Sequence, residues 1–201
     1  MSVYVIAEVG VNHNGNIDIA KKLVNIAKDC GANAVKFQTF KAEESSTDFA
    51  KKAEYQMENM PINESQIDMI RKLELPFESF IEIKEYCDLI GIDFISTPDG
   101  PESLKFLLKL NVNIIKVGST EVTNHKFLRE IGKTGKKIIL STGMSYLYEV
   151  EEALNILKST GNSNILLMQC TTDYPTKIED VNLKAMITMK EVFNRKTYNS
   201  R

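Results

Sequence analysis

The chain lacks a long hydrophobic run. No segment approaches the roughly 20 consecutive apolar residues that cross a bilayer, and the opening MSVYVIAEVG has no basic stretch ahead of its short apolar run, so neither a membrane span nor a secretory leader is expected. It also lacks an excess of either charge. Its 25 basic and 27 acidic side chains give a formal net charge of −2, and their mixing leaves no basic stripe for nucleic acid or an anionic membrane. Cysteine is sparse: Cys30, Cys87 and Cys170 are odd in number and far apart, which suits neither a disulfide framework nor a paired CxxC metal site. Reduced, mostly buried thiols in a cytoplasmic protein are expected. Asn63-Glu64-Ser65 matches a glycosylation acceptor, a chance match in the absence of a secretory signal.

What is present is the composition of a single globular domain: 201 residues, 43% hydrophobic and 26% charged, enough for one sizeable core. Short β-branched runs recur at residues 3–7, 34–38, 92–96, 114–118, 137–141 and 165–169, each reading as a strand. Helical spacing lies between them, as in Ile19, Leu23, Ile26 and Cys30, or Leu147, Val150, Leu154 and Leu157. Asn16 and Ser145 are candidate caps, and Gly31, Gly91, Gly135 and Gly161 stand where helices should end. This alternation predicts an α/β fold with a parallel sheet. Residues 40–76 break the rhythm with a charged run from Lys41 to Glu54, methionines Met57, Met60 and Met69, and a helical pattern from Glu64 to Leu75. This reads as an insertion whose charges form a solvated face and whose methionines pack.

Alternation alone allows an open doubly wound sheet or a closed barrel. In the former, chemistry gathers at one switch point; in a TIM barrel it comes from the carboxyl ends of many strands. Nearly every strand here ends in reactive groups: Glu8, then Lys36 and Gln38, then Ser96 and Thr97, then Lys116, Ser119 and Glu121, then Ser141 and Thr142, then residues 171–174. That pattern favours a TIM (β/α)8-type barrel, truncated after about six strands, since eight strands take about 250 residues.

Lys36 and Lys116 stand inside apolar strands. With a period of two, each ammonium faces away from its Val and Ile neighbours, into the barrel. A buried ammonium requires an anion. That anion is either an internal carboxylate, Glu8 or Glu121, or a phosphate and carboxylate ligand beside Thr97, Ser119 and Ser141. Glu8 opens AEVGVNHNG, where Asn14 to Asn16 make a turn and a helix cap, while the carboxylate suits a developing positive charge or a proton. The Gly10 to Gly15 spacing lacks the Lys and Ser/Thr of a Walker loop, and GxGxxG is absent. Ser141-Thr142-Gly143-Met144 fits both a helix cap and an anion site. His125 lies in a polar loop, and Cys170 reads as packing.

Together AEVGVNHNG, AVKFQTF, FISTP, IKVGSTE, ILSTGM and QCTTDYPT, in this order and over essentially the whole chain, resemble the motifs of the sialic acid synthase family, which includes N-acetylneuraminate, legionaminic and pseudaminic acid synthases. The resemblance implies a TIM barrel followed by a small antifreeze-like domain, absent here, in a domain-swapped homodimer that uses manganese or magnesium. It implies that Lys36, Thr97, Lys116, Ser119, Ser141 and Thr172 hold phosphoenolpyruvate, that Glu8 is the catalytic carboxylate, and that Gln38, Glu121 and Tyr174 face an N-acetylated mannose-type sugar. The implied reaction joins the methylene carbon of phosphoenolpyruvate to the metal-polarised aldehyde of the sugar; water adds to the resulting cation and phosphate departs by C–O cleavage. Three departures stand out. Asp99-Gly100 follows Pro98 where the family commonly has Phe; Thr120 replaces a glycine; and the metal-binding histidines of the resemblance fall beyond Arg201, with neither His13 nor His125 at a matching position. Weak or absent metal binding and little synthase activity are therefore expected of the 201-residue chain. A phosphoenolpyruvate-dependent octulosonate or heptulosonate synthase, whose phosphorylated acceptor needs extra basic loop residues, and an inactive remnant remain as alternatives.

Overall fold

The computed structural model describes residues 3–45, 65–193 and 197–199, and the chain divides into two compact units, Met1–Val112 and Asn113–Arg201. Met57, Met60, Asn63, Glu64 and the charged run beyond Ser45 lie outside the described residues. In the first unit β1 (Ile6–Gly10), β2 (Ala34–Thr39) and β3 (Asp93–Pro98) pair in parallel in that order. Around them run α1 (Ile17–Asp29), α2 (Ala42–Ser45), α3 (Gln66–Leu73), α4 (Phe77–Ile90) and α5 (Pro101–Lys109). The second unit has β4 (Ile114–Val117), β5 (Lys137–Ser141), β6 (Ile165–Gln169) and a short β7 (Thr197–Asn199), again parallel and in sequence order. Its helices are α6 (His125–Lys133), α7 (Leu147–Ser159) and α8 (Ala185–Phe193). β7 is a strand more than the six read from the sequence. No helix among the described residues is long and apolar enough to cross a membrane.

β1 begins three residues later than its hydrophobic run. Val3, Tyr4 and Val5 are exposed, with the Tyr4 hydroxyl bonded to the Asp93 carboxylate, and the strand continues through Glu8 to Gly10. Helix α1 also differs from its pattern. Ala20, Val24 and Ala27 are buried, while Ile19 and Ile26 are 39% and 49% exposed. The small residues are the ones that let a helix lie close to strands, so the bulkier stripe stands beside the contact rather than in it. Asn16 caps α1, accepting from Asp18 N–H at 2.8 Å and Ile19 N–H at 3.1 Å. Ser145 does not cap α7. Tyr146 occupies that position, its N–H bonded to the Glu149 carboxylate at 2.7 Å, and Ser145 Oγ donates to the Gly143 carbonyl. The four expected helix-end glycines adopt positive φ.

Strand alternation settles which side chains face the helices. In β2, Val35 and Phe37 are fully buried; the Phe37 ring stacks on Phe94 at 5.6 Å and meets Phe80 of α4 edge-on at 6.2 Å. Lys36 and Gln38 consequently occupy the opposite face. Ile115, Ile138, Leu140 and Leu167 are the corresponding fully buried residues of the second unit. Met69 of α3 is buried, as expected. Of the cysteines only Cys87 is buried, Cys30 being exposed and Cys170 half-buried, and burial pushes the Cys87 thiol up to about 12.

Candidate functional site

In the first unit, register brings Glu8 opposite Lys36 and Gln38 opposite Thr97, so four of the expected residues share one face. The Glu8 carboxylate pairs with the Lys36 ammonium at 2.8 Å, their side chains 45% and 13% exposed. The internal-carboxylate reading of Lys36 therefore holds in this state. A bulge falls between Glu8 and Gly10, and Gly10, at φ +53°, approaches so closely that a Cβ there would sit 3.0 Å from Glu8 Oε1 and 3.7 Å from Gln38 Oε1. Thr97 is buried. Ser96, one residue earlier and on the other face, bonds Thr39 Oγ1 at 2.7 Å within the helix-side core.

The same unit holds two features that sequence reasoning missed. His13, in the β1–α1 turn, is fully buried; its Nδ1 accepts from Gly15 N–H at 3.1 Å and its ring stacks on Phe37 at 6.1 Å. Burial holds its pKa below the ordinary value, with the Gly10 carbonyl acting in the opposite sense. Second, the described part of the charged run is only partly a solvated face: Glu43 is exposed, whereas Lys41 and Glu44 turn inward. Lys41 pairs with Glu74 at 2.8 Å and lies 4.5 Å over the Phe77 ring. Glu44 reaches the first turn of α5, accepting from Glu102 N–H at 3.1 Å and meeting Ser103 Oγ at 3.4 Å. The space it fills exists because residue 100 is glycine: a Cβ there would be 2.7 Å from the Glu44 carboxyl carbon. The Asp99-Gly100 departure thus coincides with an internal carboxylate at a helix N-terminus.

In the second unit Lys116 is 6% exposed. Its ammonium donates to Ser141 Oγ at 2.6 Å and to the Val117 carbonyl at 3.0 Å. Register places Lys116 beside Ile139, two residues before Ser141 and on its face. Ser119, in a 3₁₀ turn over Ser119–Glu121, has its hydroxyl 3.3 Å from that of Thr172. Gly143 lies against the same group: a Cβ there would be 2.4 Å from Thr172 Oγ1 and 2.8 Å from Cys170 Sγ, which accepts Gly143 N–H at 3.2 Å. Three hydroxyls and one ammonium therefore gather around the tips of β4, β5 and β6. Glu121 accepts from Asn124 Nδ2 at 2.7 Å, and Tyr174 is 61% exposed. Thr120 is exposed, its Oγ1 3.4 Å from where a Cβ on Gly118 would sit. His125 opens helix α6 rather than lying in a loop, 3.7 Å from Glu152. Thr142, pointing away from Ser141, contacts Met189 Sδ and lines a separate cavity of about 280 Å³ with Gln169, Asn182 and Lys184.

Among the described residues no three His, Cys, Asp or Glu side chains converge on one point. The described donor set thus does not fit the divalent ion that the family resemblance implies.

Residues 23–198 match the NeuB family model. The chain is 48% identical over 191 residues to the N,N'-diacetyllegionaminic acid synthase of Campylobacter jejuni, covering 94% of this chain and 57% of that protein. It is 32% identical to the human N-acetylneuraminate-9-phosphate synthase, over 94% of this chain and 52% of that one. The chain spans about half the length of these curated relatives. Among solved structures, the N-acetylneuraminic acid synthetase of Leptospira borgpetersenii, in complex with citrate, superposes at a TM-score of 0.84 with 28% identity, covering 98% of this chain and 64% of that one. That likeness shows the barrel-type α/β fold expected from the strand tips.

Proposed function

Because the chain belongs to the NeuB family, we propose that its strand tips serve a nonulosonate synthase, which condenses phosphoenolpyruvate with N-acetylmannosamine or a related N-acetylated sugar. The observation that carries this reading is the buried Lys116 ammonium with Ser141 Oγ at 2.6 Å, together with the paired hydroxyls of Ser119 and Thr172 that follow β4 and β6. A desolvated cation beside a hydroxyl is suited to the phosphate or carboxylate of phosphoenolpyruvate. Lys36 and Thr97 are the corresponding contacts proposed for the first unit, where a ligand anion would share or replace the exposed Glu8 carboxylate. Gln38, Glu121 and Tyr174 are assigned to the sugar.

In the chemistry proposed, the C3 methylene carbon attacks the sugar aldehyde, whose oxygen takes up a proton. C2 becomes an oxocarbenium-type cation, which Glu8 stabilises as a fixed negative partner. Water adds to C2 and loses a proton, and collapse of that adduct breaks the C–O bond to phosphate, leaving the 2-keto acid. Glycine at position 10 supports this role, since the missing Cβ leaves room for the Glu8 carboxylate on the face that Lys36 and Gln38 share.

Saturation-transfer NMR in the presence of phosphoenolpyruvate tests the acceptor. The acetyl methyl of N-acetylmannosamine should receive saturation only when phosphoenolpyruvate is present. Transfer to a phosphorylated pentose or a phosphorylated tetrose alone would overturn the assignment, in favour of an octulosonate-type or a heptulosonate-type synthase respectively.

A further inference from the structure

His13 buries a ring nitrogen that has no close hydrogen-bond partner among the described residues. Its Nδ1 accepts from Gly15 N–H at 3.1 Å, which places the ring proton on Nε2, and among the described residues Nε2 has no close hydrogen-bond partner although His13 is fully buried. Buried polar groups are nearly always paired, so an orphan calls for an explanation. Packing alone does not supply one: the ring stacks on Phe37 at 6.1 Å, a contact phenylalanine would make without leaving an unpaired donor.

The surroundings of His13 suggest what the imidazole is for. It spans the turn between the Gly10 carbonyl, a hydrogen-bond acceptor toward the ring that opposes the effect of burial on its pKa, and the Gly15 amide. Gly10 closes the bulge in β1 and lies against Glu8 Oε1. Phe37, under the ring, is the β2 residue between Lys36 and Gln38. The far side of the turn is fixed as well, since a Cβ on Gly15 would sit 2.7 Å from the Lys72 carbonyl. The imidazole therefore touches both strands that carry the Glu8–Lys36 pair, from the opposite face of the sheet.

We propose that His13 is a positioning residue: as the neutral Nε2–H tautomer it braces the Gly10–Gly15 turn and thereby keeps the Glu8 carboxylate on Lys36. What Glu8 is held for rests on the proposed synthase reading; that it is held rests on the geometry alone. Asparagine can supply an acceptor where Nδ1 stands, whereas phenylalanine keeps the stacking and loses the acceptor, so the two variants separate bracing from packing.

The chain has two histidines, so ¹⁵N-histidine spectra, assigned with His125→Gln, read the tautomer of His13 in the wild-type protein. An Nε2–H pattern at neutral pH is expected; an Nδ1–H or doubly protonated ring overturns the proposal whether or not any variant folds. The second readout is the Lys36 ammonium signal in ¹H–¹⁵N spectra, assigned by its loss in Lys36→Met. His13→Phe should move that signal most of the way to its position in Glu8→Gln, and His13→Asn should return it toward wild type. A His13→Phe protein with the Lys36 signal unmoved would show that the ring only packs. These spectra need no substrate. A failure of the synthase reading would appear separately, as acceptor and phosphoenolpyruvate binding indifferent to Glu8→Gln, with the Lys36 shifts intact.

Discussion

Gly100→Ala should destabilise the protein by about 1 kcal/mol, and almost all of that cost should disappear when Glu44 is removed. Gly100 has φ 168°, an extended backbone any residue adopts, so alanine is not strained there. On its own it should stabilise by about 0.4–1 kcal/mol through the unfolded chain. Against this, its Cβ would lie 2.7 Å from the carboxyl carbon and Oε2 of Glu44. Glu44 must then leave Glu102 N–H and Ser103 Oγ. Losing a capping acceptor costs about 1 kcal/mol, and the carboxylate's interaction with the N-terminus of α5 adds about 0.3–1 kcal/mol. The difference is a net loss of about 1 kcal/mol, or roughly 2–4 °C for a chain of this size. In Glu44→Ala only the Cβ contact at 3.0 Å remains, and Gly100→Ala should then be close to neutral. Urea denaturation of the four proteins in the cycle measures the coupling. Equal costs in both backgrounds, or a stabilising Gly100→Ala in the wild type, would refute the account of this departure from the family pattern.

Two further outcomes follow from the buried charges. Lys116→Met removes an ammonium that is 6% exposed and should leave the ligand-free protein as stable or more so, by about 1 kcal/mol, because relief of desolvation outweighs modest hydrogen bonds such as those to Ser141 Oγ and the Val117 carbonyl; a loss above about 2 kcal/mol in thermal or urea unfolding would contradict this. His13 has a folded pKa below the ordinary 6.5, so the unfolded chain binds more protons just below that pH. Stability should therefore fall as pH drops from 6.5 through the folded pKa of His13 and then level off with respect to this group. His13→Asn should lack that part of the slope, and identical pH profiles for the two proteins would sink the assignment.

Much of the site was legible because period-two alternation is a strong constraint. Lys36 could not share the face of Val35 and Phe37, and the same logic put Lys116 beside Ser141. What was not legible depended on how elements approach one another. The α1 stripe of Ile19 and Ile26 looked like a core face, yet Ala20 and Ala27 make the contact, because close approach of a helix favours small side chains over hydrophobic ones. His13 read as one polar letter in a turn, and nothing in its neighbours announces a ring stacked on Phe37. Glu44 was concealed in a charged run; its one trace in the sequence is Gly100, and an unpaired glycine does not say which side chain fills the space beside it. The bulge at Gly10 was hidden for the same reason, although it fixes where Glu8 points.

Calorimetric titration of phosphoenolpyruvate into the 201-residue chain tests the central claim most directly. Saturable binding is predicted, weakened roughly 10- to 150-fold by Lys116→Met, as expected for loss of a charge-assisted hydrogen bond of about 1.5–3 kcal/mol. Lys184→Ala, in the separate cavity, should leave the affinity unchanged. Absence of binding in the wild type, or equal affinity in wild type and Lys116→Met, would contradict the account.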